Sequence, residues 1–155
     1  MELEKRYLGQ SGINVSCLGL GTVKFGRNRQ VKYPEKFSLP SLEELGGILN
    51  KTRELGINFL DTAPAYGDSE EKIGRVIRDR SEWIICTKVG EEFTNGQSSF
   101  NFSGSHVRTS IQRSLKNLKT DYLDIVLVHS NGDDETIIDN TDCLETLARL
   151  KEKGI

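Results

Sequence analysis

What this chain lacks narrows its identity before any motif does. In its 155 residues no apolar run approaches the roughly 18 that a membrane-spanning helix requires. The opening Met1-Glu2-Leu3-Glu4-Lys5-Arg6 has no apolar stretch of the secretory type, so a cytoplasmic protein with no membrane partner is expected. Cysteine is limited to Cys17, Cys86 and Cys143, an odd set far apart with no C-x-x-C pair. That suits reduced structural thiols and argues against a disulfide framework or a zinc site. Neither sign of charge dominates: 21 Lys and Arg face 23 Asp and Glu for a formal net charge of −2, without the basic excess of a nucleic-acid binder. Internal repeats and low-complexity tracts are also missing. The 35% of apolar residues that remain are enough to build a packed core.

Those apolar residues are organised. Four short runs, Cys17–Thr22, Ile57–Asp61, Trp83–Lys88 and Leu123–His129, are too short for helices and too continuous for half-exposed strands, so they read as buried parallel strands. Amphipathic stretches alternate with them, which is the pattern of successive βα units around a parallel sheet. The first helix is signalled by Ser41 and Glu44, an S-x-x-E capping box after Pro40, and by Gly56 as its stop. A second opens at Asp68 or Ser69 and buries Ile73, Val76 and Ile77. A third opens near Ser103 or Ser105 with Val107, Ile111, Leu115 and Leu118 on one face, and a fourth opens at Thr141 or Asp142 with Leu144, Leu147 and Leu150. Ahead of the first strand, Arg6–Leu8 and Ile13–Val15 flank Gly9-Gln10-Ser11-Gly12 as a β-hairpin. Lys24 to Lys36 is a long basic loop expected to be a solvated face, and Glu91 to Phe102 is a second, polar loop. Asp133, Asp134 and Glu135 read as a polar loop ahead of a helix rather than a metal cluster.

The carboxyl ends of the four strands carry Gly21-Thr22, Asp61, Lys88 and His129, with Tyr66 five residues beyond Asp61. Groups on successive strand ends converge on one mouth of such a sheet. Asp, Tyr, Lys and His together suit proton transfer better than metal binding, because a cationic lysine repels a metal. A tyrosine phenol titrates near 10, and a nearby ammonium favours phenolate and lowers that value. Lys88 is expected to do this for Tyr66, with Asp61 keeping Lys88 charged and His129 donating a hydrogen bond to a carbonyl oxygen.

These residues sit in longer patterns. Gly19-Leu20-Gly21-Thr22, Asp61-Thr62-Ala63-Pro64-Ala65-Tyr66-Gly67, Ser69-Glu70 with Ile73-Gly74, Thr87-Lys88-Val89, and Thr120-Asp121-Tyr122-Leu123-Asp124 leading to Val128-His129 resemble the aldo-keto reductases. The resemblance implies the TIM (β/α)8 barrel family, with residues 1–155 as the amino-terminal half of the barrel: the hairpin over 6–15, then four βα units. It implies Asp61, Tyr66, Lys88 and His129 as the catalytic tetrad, NADPH as cofactor, and Gly21, Thr22 and Asp61 beside the nicotinamide ribose. The implied activity is NADPH-dependent reduction of a small aldehyde or ketone to an alcohol, an oxidoreductase reaction. Later strands of the family supply the remaining cofactor contacts, so pairing with a carboxyl-terminal half is expected. Two alternatives stay open: a non-catalytic reductase-like assembly module, and a half barrel that associates with itself through its strand edges.

Overall fold

A computed structural model describes residues 3–155. Its first element is a hairpin of β1 (Lys5–Tyr7) and β2 (Asn14–Ser16), antiparallel in the register Lys5–Ser16, Arg6–Val15 and Tyr7–Asn14. The strands lie one residue further out on each side than the expected Arg6–Leu8 and Ile13–Val15, because Leu8 and Ile13 close the turn with a 2.9 Å backbone hydrogen bond. The hairpin is fastened under the main sheet by Asn58, whose Oδ1 accepts from the Ser16 backbone at 2.7 Å and whose amide donates to the Asn14 carbonyl at 3.1 Å.

The main sheet contains β3 (Gly19–Gly21), β4 (Phe59–Asp61), β5 (Ile84–Val89) and β8 (Ile125–Val128), all parallel and in that spatial order. Between β3 and β4 the chain forms a one-turn α1 (Val23–Gly26) and α2 (Leu42–Glu54). The predicted capping box is present, with Ser41 Oγ accepting from the Glu44 backbone and Glu44 Oε2 accepting from the Ser41 backbone. Helix α3 (Ser69–Val76) follows β4, and α4 (Gly104–Leu118) precedes β8 with the predicted Ser103 as its N-cap. After β8 come α5 (Asp134–Asn140), capped by Asp133, and α6 (Cys143–Glu152).

The core fills the space between this sheet and its helices. Leu60, Ile85 and Val89 from the strands meet Leu45 and Leu49 of α2, Ile73 of α3, and Val107, Ile111 and Leu118 of α4. Burial is deepest in the two inner strands β4 and β5, though Ile84 is only half-buried, and is lost in β3 and β8, where Leu127 is 46% exposed. In α3, Ile73 is buried while Val76 and Ile77 are only half-buried. In α6 the buried positions are Cys143 and Thr146, whereas Leu144 is exposed. The polar stretch after β5 is no open loop. It forms a second hairpin, β6 (Glu91–Thr94) and β7 (Gln97–Phe100), turned by Asn95 and Gly96, both with positive φ. Asn-Gly is the dipeptide that favours such a turn, and it was the signal that could have revealed the hairpin. No helix among the described residues is long and apolar enough to cross a membrane.

Candidate active site

The parallel ladder brings the strand ends to a common level. Gly21 pairs in register with Asp61, Asp61 with Cys86, and Val89 with Val128. Beyond these rungs the pairing continues: the Thr22 backbone donates to the Asp61 carbonyl at 2.9 Å, Thr62 to Cys86 at 2.8 Å and His129 to Val89 at 2.8 Å. The expected tetrad is thereby gathered at one end of the sheet. At the opposite end Asp124, from the T-D-Y-x-D pattern, accepts from the Ile85 backbone at 2.9 Å and pairs with Arg80, so it ties β8 to β5 rather than serving the site.

Lys88 Nζ lies 2.7 Å from Asp61 Oδ2 and donates to the Thr62 carbonyl at 2.9 Å. Its side chain is 11% exposed against 35% for Asp61, so the ammonium is sheltered while the carboxylate keeps water on one side. Tyr66 arrives on a 3-10 turn (Pro64–Tyr66) held by very close backbone packing. A Cβ on Gly26 would stand 2.2 Å from the Tyr66 carbonyl, and one on Gly67 2.2 Å from the Gly26 carbonyl. Only glycine permits this approach, and Gly67 also has positive φ. The Tyr66 hydroxyl donates a long 3.4 Å hydrogen bond to Asp61 Oδ1, and Lys88 Nζ sits 4.9 Å from the Tyr66 ring centre. His129 meets the same ring edge-on, with centroids 6.2 Å apart at 88°.

The titration of Tyr66 departs from the sequence-based expectation. Burial pushes the phenol above its ordinary value, Lys88 pulls it down, and Asp61 raises it again, with a net upward shift. Burial outweighs the pull of Lys88, and the Asp61 carboxylate adds to the upward side. The phenol therefore holds its proton through neutral pH and is suited to give it away as an acid. Nearby, burial pushes the Cys86 thiol up to about 11, which makes it an inert core group.

Gly21 and Thr22 part company. A Cβ on Gly21 would meet nothing within 4 Å, so this strand end presents an open, flat backbone beside Asp61. Thr22 is fully buried; its hydroxyl donates to the Asp61 carbonyl and accepts from Ser69 Oγ at 2.9 Å. Its side chain therefore supports the site from behind.

Two residues near the tetrad escaped the sequence reading. Arg27, counted within a solvated basic face, has a side chain only 9% exposed, paired at 3.3 Å with Glu91 at 10%. Glu91 opens β6 and approaches His129 Nδ1 at 3.0 Å through Oε2. Residues 27 and 91 are too far apart in the chain for any local pattern to link them.

Comparison with known proteins finds relatives along nearly the whole chain. The profile of the aldo/keto reductase family matches residues 17–155. The chain is 33% identical to the uncharacterized oxidoreductase YqkF of Bacillus subtilis over 99% of its own length and 46% of that protein. It is 32% identical to L-galactose dehydrogenase of Arabidopsis thaliana, again over 99% of this chain and 46% of the other. It thus spans about half the length of the curated relatives it matches. Among solved structures, a Pseudomonas aeruginosa protein described as an aldo-keto reductase superposes with a TM-score of 0.89 at 50% identity, covering 97% of this chain and 56% of that one. The holo form of aldo-keto reductase AKR11C1 from Bacillus halodurans gives 0.79 at 30% identity, covering 99% and 48%.

Proposed function

The chain belongs to the aldo/keto reductase family, and on that premise we propose that residues 1–155 form the site-bearing amino-terminal half of an NADPH-dependent reductase of small aldehydes or ketones. The observation that carries this reading is the Asp61–Lys88 pair at 2.7 Å with Lys88 Nζ 4.9 Å from the Tyr66 ring, at the carboxyl ends of parallel strands. Tyr66 gives its phenolic proton to the carbonyl oxygen of the substrate. Lys88 stabilises the phenolate left behind, Asp61 holds the Lys88 ammonium beside Tyr66, and His129 orients the carbonyl oxygen when its ring is charged.

NADPH, when bound, supplies the hydride for the carbonyl carbon. The residues present fit its nicotinamide ribose. The backbone at Gly21 is open, with no atom within 4 Å of a Cβ placed there, and the half-exposed Asp61 stands beside it. Thr22 would contribute by holding that strand end in place.

The test is carbonyl-dependent NADPH oxidation by the chain at high cofactor concentration with an aromatic aldehyde. Tyr66→Phe is expected to lower the rate by about 100-fold or more, the usual worth of a general acid, while leaving folding intact. Equal rates in the two proteins would overturn the acid role. An isolated amino-terminal half is itself expected to bind NADPH weakly, so the assembly-module alternative is favoured only if the chain paired with a carboxyl-terminal half also fails to oxidise NADPH.

A further inference from the structure

Arg27 and Glu91 lie outside the tetrad but reach it through His129, and the cluster of the three is better built than a chance surface contact. Gly90, at φ 110°, turns the chain so sharply after β5 that Glu91 follows the strand end at once. A Cβ on Gly90 would stand 2.4 Å from the Phe102 ring, so that turn requires glycine. The Glu91 carboxylate is gripped from two sides: Oε1 accepts from Ser98 Oγ at 2.6 Å and from Arg27 Nη1 at 3.3 Å. Arg27 is itself fixed, donating to the Ala65, Arg29 and Gln30 carbonyls at 3.1 Å each and lying 3.6 Å over the Phe93 ring. The remaining oxygen, Oε2, faces His129 Nδ1 at 3.0 Å.

Nδ1 is fully buried and has no other partner, although the side chain as a whole is 26% exposed. The accessible part of the imidazole is therefore the rest of the ring. The N–H direction is misaligned with Oε2 in this conformation, and the broad terminal torsion of histidine lets a modest rotation align it. A nitrogen set against a carboxylate must carry a proton or suffer lone-pair repulsion. A neutral imidazole has one N–H to place.

We infer that Glu91 is a positioning residue that holds neutral His129 as its Nδ1–H tautomer, so that Nε2 becomes a hydrogen-bond donor only when the ring takes a second proton. The charged groups around the ring set when that happens. Glu91 from β6 and Asp61 from β4 favour the imidazolium, Lys88 from β5 and Arg27 from the segment after α1 oppose it, and the Tyr66 ring contributes only its edge. Burial opposes it most, and the balance lies below the ordinary histidine value. The orienting hydrogen bond to a carbonyl oxygen then strengthens as pH falls. This catalytic consequence rests on the reductase reading; the tautomer does not.

The chain has two histidines, His106 and His129, so long-range proton–nitrogen correlation spectra resolve both rings, with His106 as an internal control. The expected result is an Nδ1–H tautomer for neutral His129, and an Nε2–H tautomer overturns the inference. In Glu91→Gln, His129 is expected to lose the Nδ1–H preference and to titrate at lower pH, with His106 unmoved. An unchanged tautomer and midpoint in that variant also overturn it. The measurement on the unaltered protein decides the matter even if Glu91→Gln fails to fold. Because neither spectrum depends on turnover, a chain that shows the Nδ1–H tautomer but reduces no carbonyl when paired with a carboxyl-terminal half overturns the proposed function and leaves this inference standing.

Discussion

Two cation–carboxylate pairs stand side by side at the carboxyl ends of the strands, and they differ in their access to water. Lys88 and Asp61 are joined at 2.7 Å with the carboxylate 35% exposed, whereas Arg27 and Glu91 are joined at 3.3 Å with both side chains at a tenth exposed or less. An ion pair with one wet partner can exchange its contact for a ligand or a solvent molecule at small cost. A dry pair cannot, because removing one member strands an uncompensated charge. The first arrangement suits chemistry. The second suits the bracing of three segments that meet around Tyr66 and His129.

The comparison is broken most directly by Arg27→Ala. It should cost about 3–5 kcal/mol of folding stability, since Glu91 is left charged and buried, and chemical denaturation reads the loss. A loss below about 1 kcal/mol, the range of exposed pairs, would show that the Arg27–Glu91 pair is hydrated in solution and erase the contrast. Asp61→Asn is the matching change in the wet pair. Its stability cost should be no more than about 1 kcal/mol, because exposure discounts the pair. Its cost in carbonyl-dependent NADPH oxidation should be about tenfold or more, as Lys88 loses the carboxylate that positions its ammonium at 2.7 Å. If Asp61→Asn destabilised as much as Arg27→Ala, the division between a working pair and a bracing pair would not hold.

A third carboxylate sharpens the same contrast because it has no cation hydrogen-bonded to it. Glu70 is 1% exposed; Oε1 accepts from Thr87 Oγ1 at 2.6 Å, and Oε2 has no hydrogen-bond partner. Burial raises its titration above the ordinary carboxylate value and outweighs the hydrogen bond from Thr87. A raised value in the folded state means that the favourable contribution is complete below the unfolded carboxylate range and is lost as pH rises through the folded value. Stability should therefore decline with rising pH above the ordinary carboxylate range. Glu70→Gln should flatten that slope and gain about 1 kcal/mol at neutral pH. Denaturation midpoints of both proteins across mildly acidic to neutral pH check this, and parallel profiles would count against it.

Much of the fold was legible because it is encoded locally. The runs ending at Asp61 and Lys88 carry strand spacing, Ser41 and Glu44 form their capping box within one turn, and Ser103 caps α4 as its position suggests. The strand-end residues Asp61, Tyr66, Lys88 and His129 were visible for the same reason, since a parallel sheet delivers strand ends to one level. The β6–β7 hairpin was harder to see, because Gln97-Ser98-Ser99-Phe100 has no apolar alternation and all four residues are exposed. Its Asn95-Gly96 turn was the only local mark. On α6 the expected Leu147 and Leu150 do pack against the core, but Leu144 is exposed and the buried positions are Cys143 and Thr146.

The sequence by itself determined the order of the four parallel strands, the caps of α2 and α4 and the residues that arrive at the mouth of the sheet, because each depends on neighbours a few positions away. Only the tertiary structure decided which charges are dry, which way Tyr66 titrates, and that Thr22 turns its hydroxyl inward. Those properties depend on burial and on electrostatic partners such as Arg27 and Glu91, 64 residues apart in the chain and 3.3 Å apart in space. Such partners come into range only when the strands have paired.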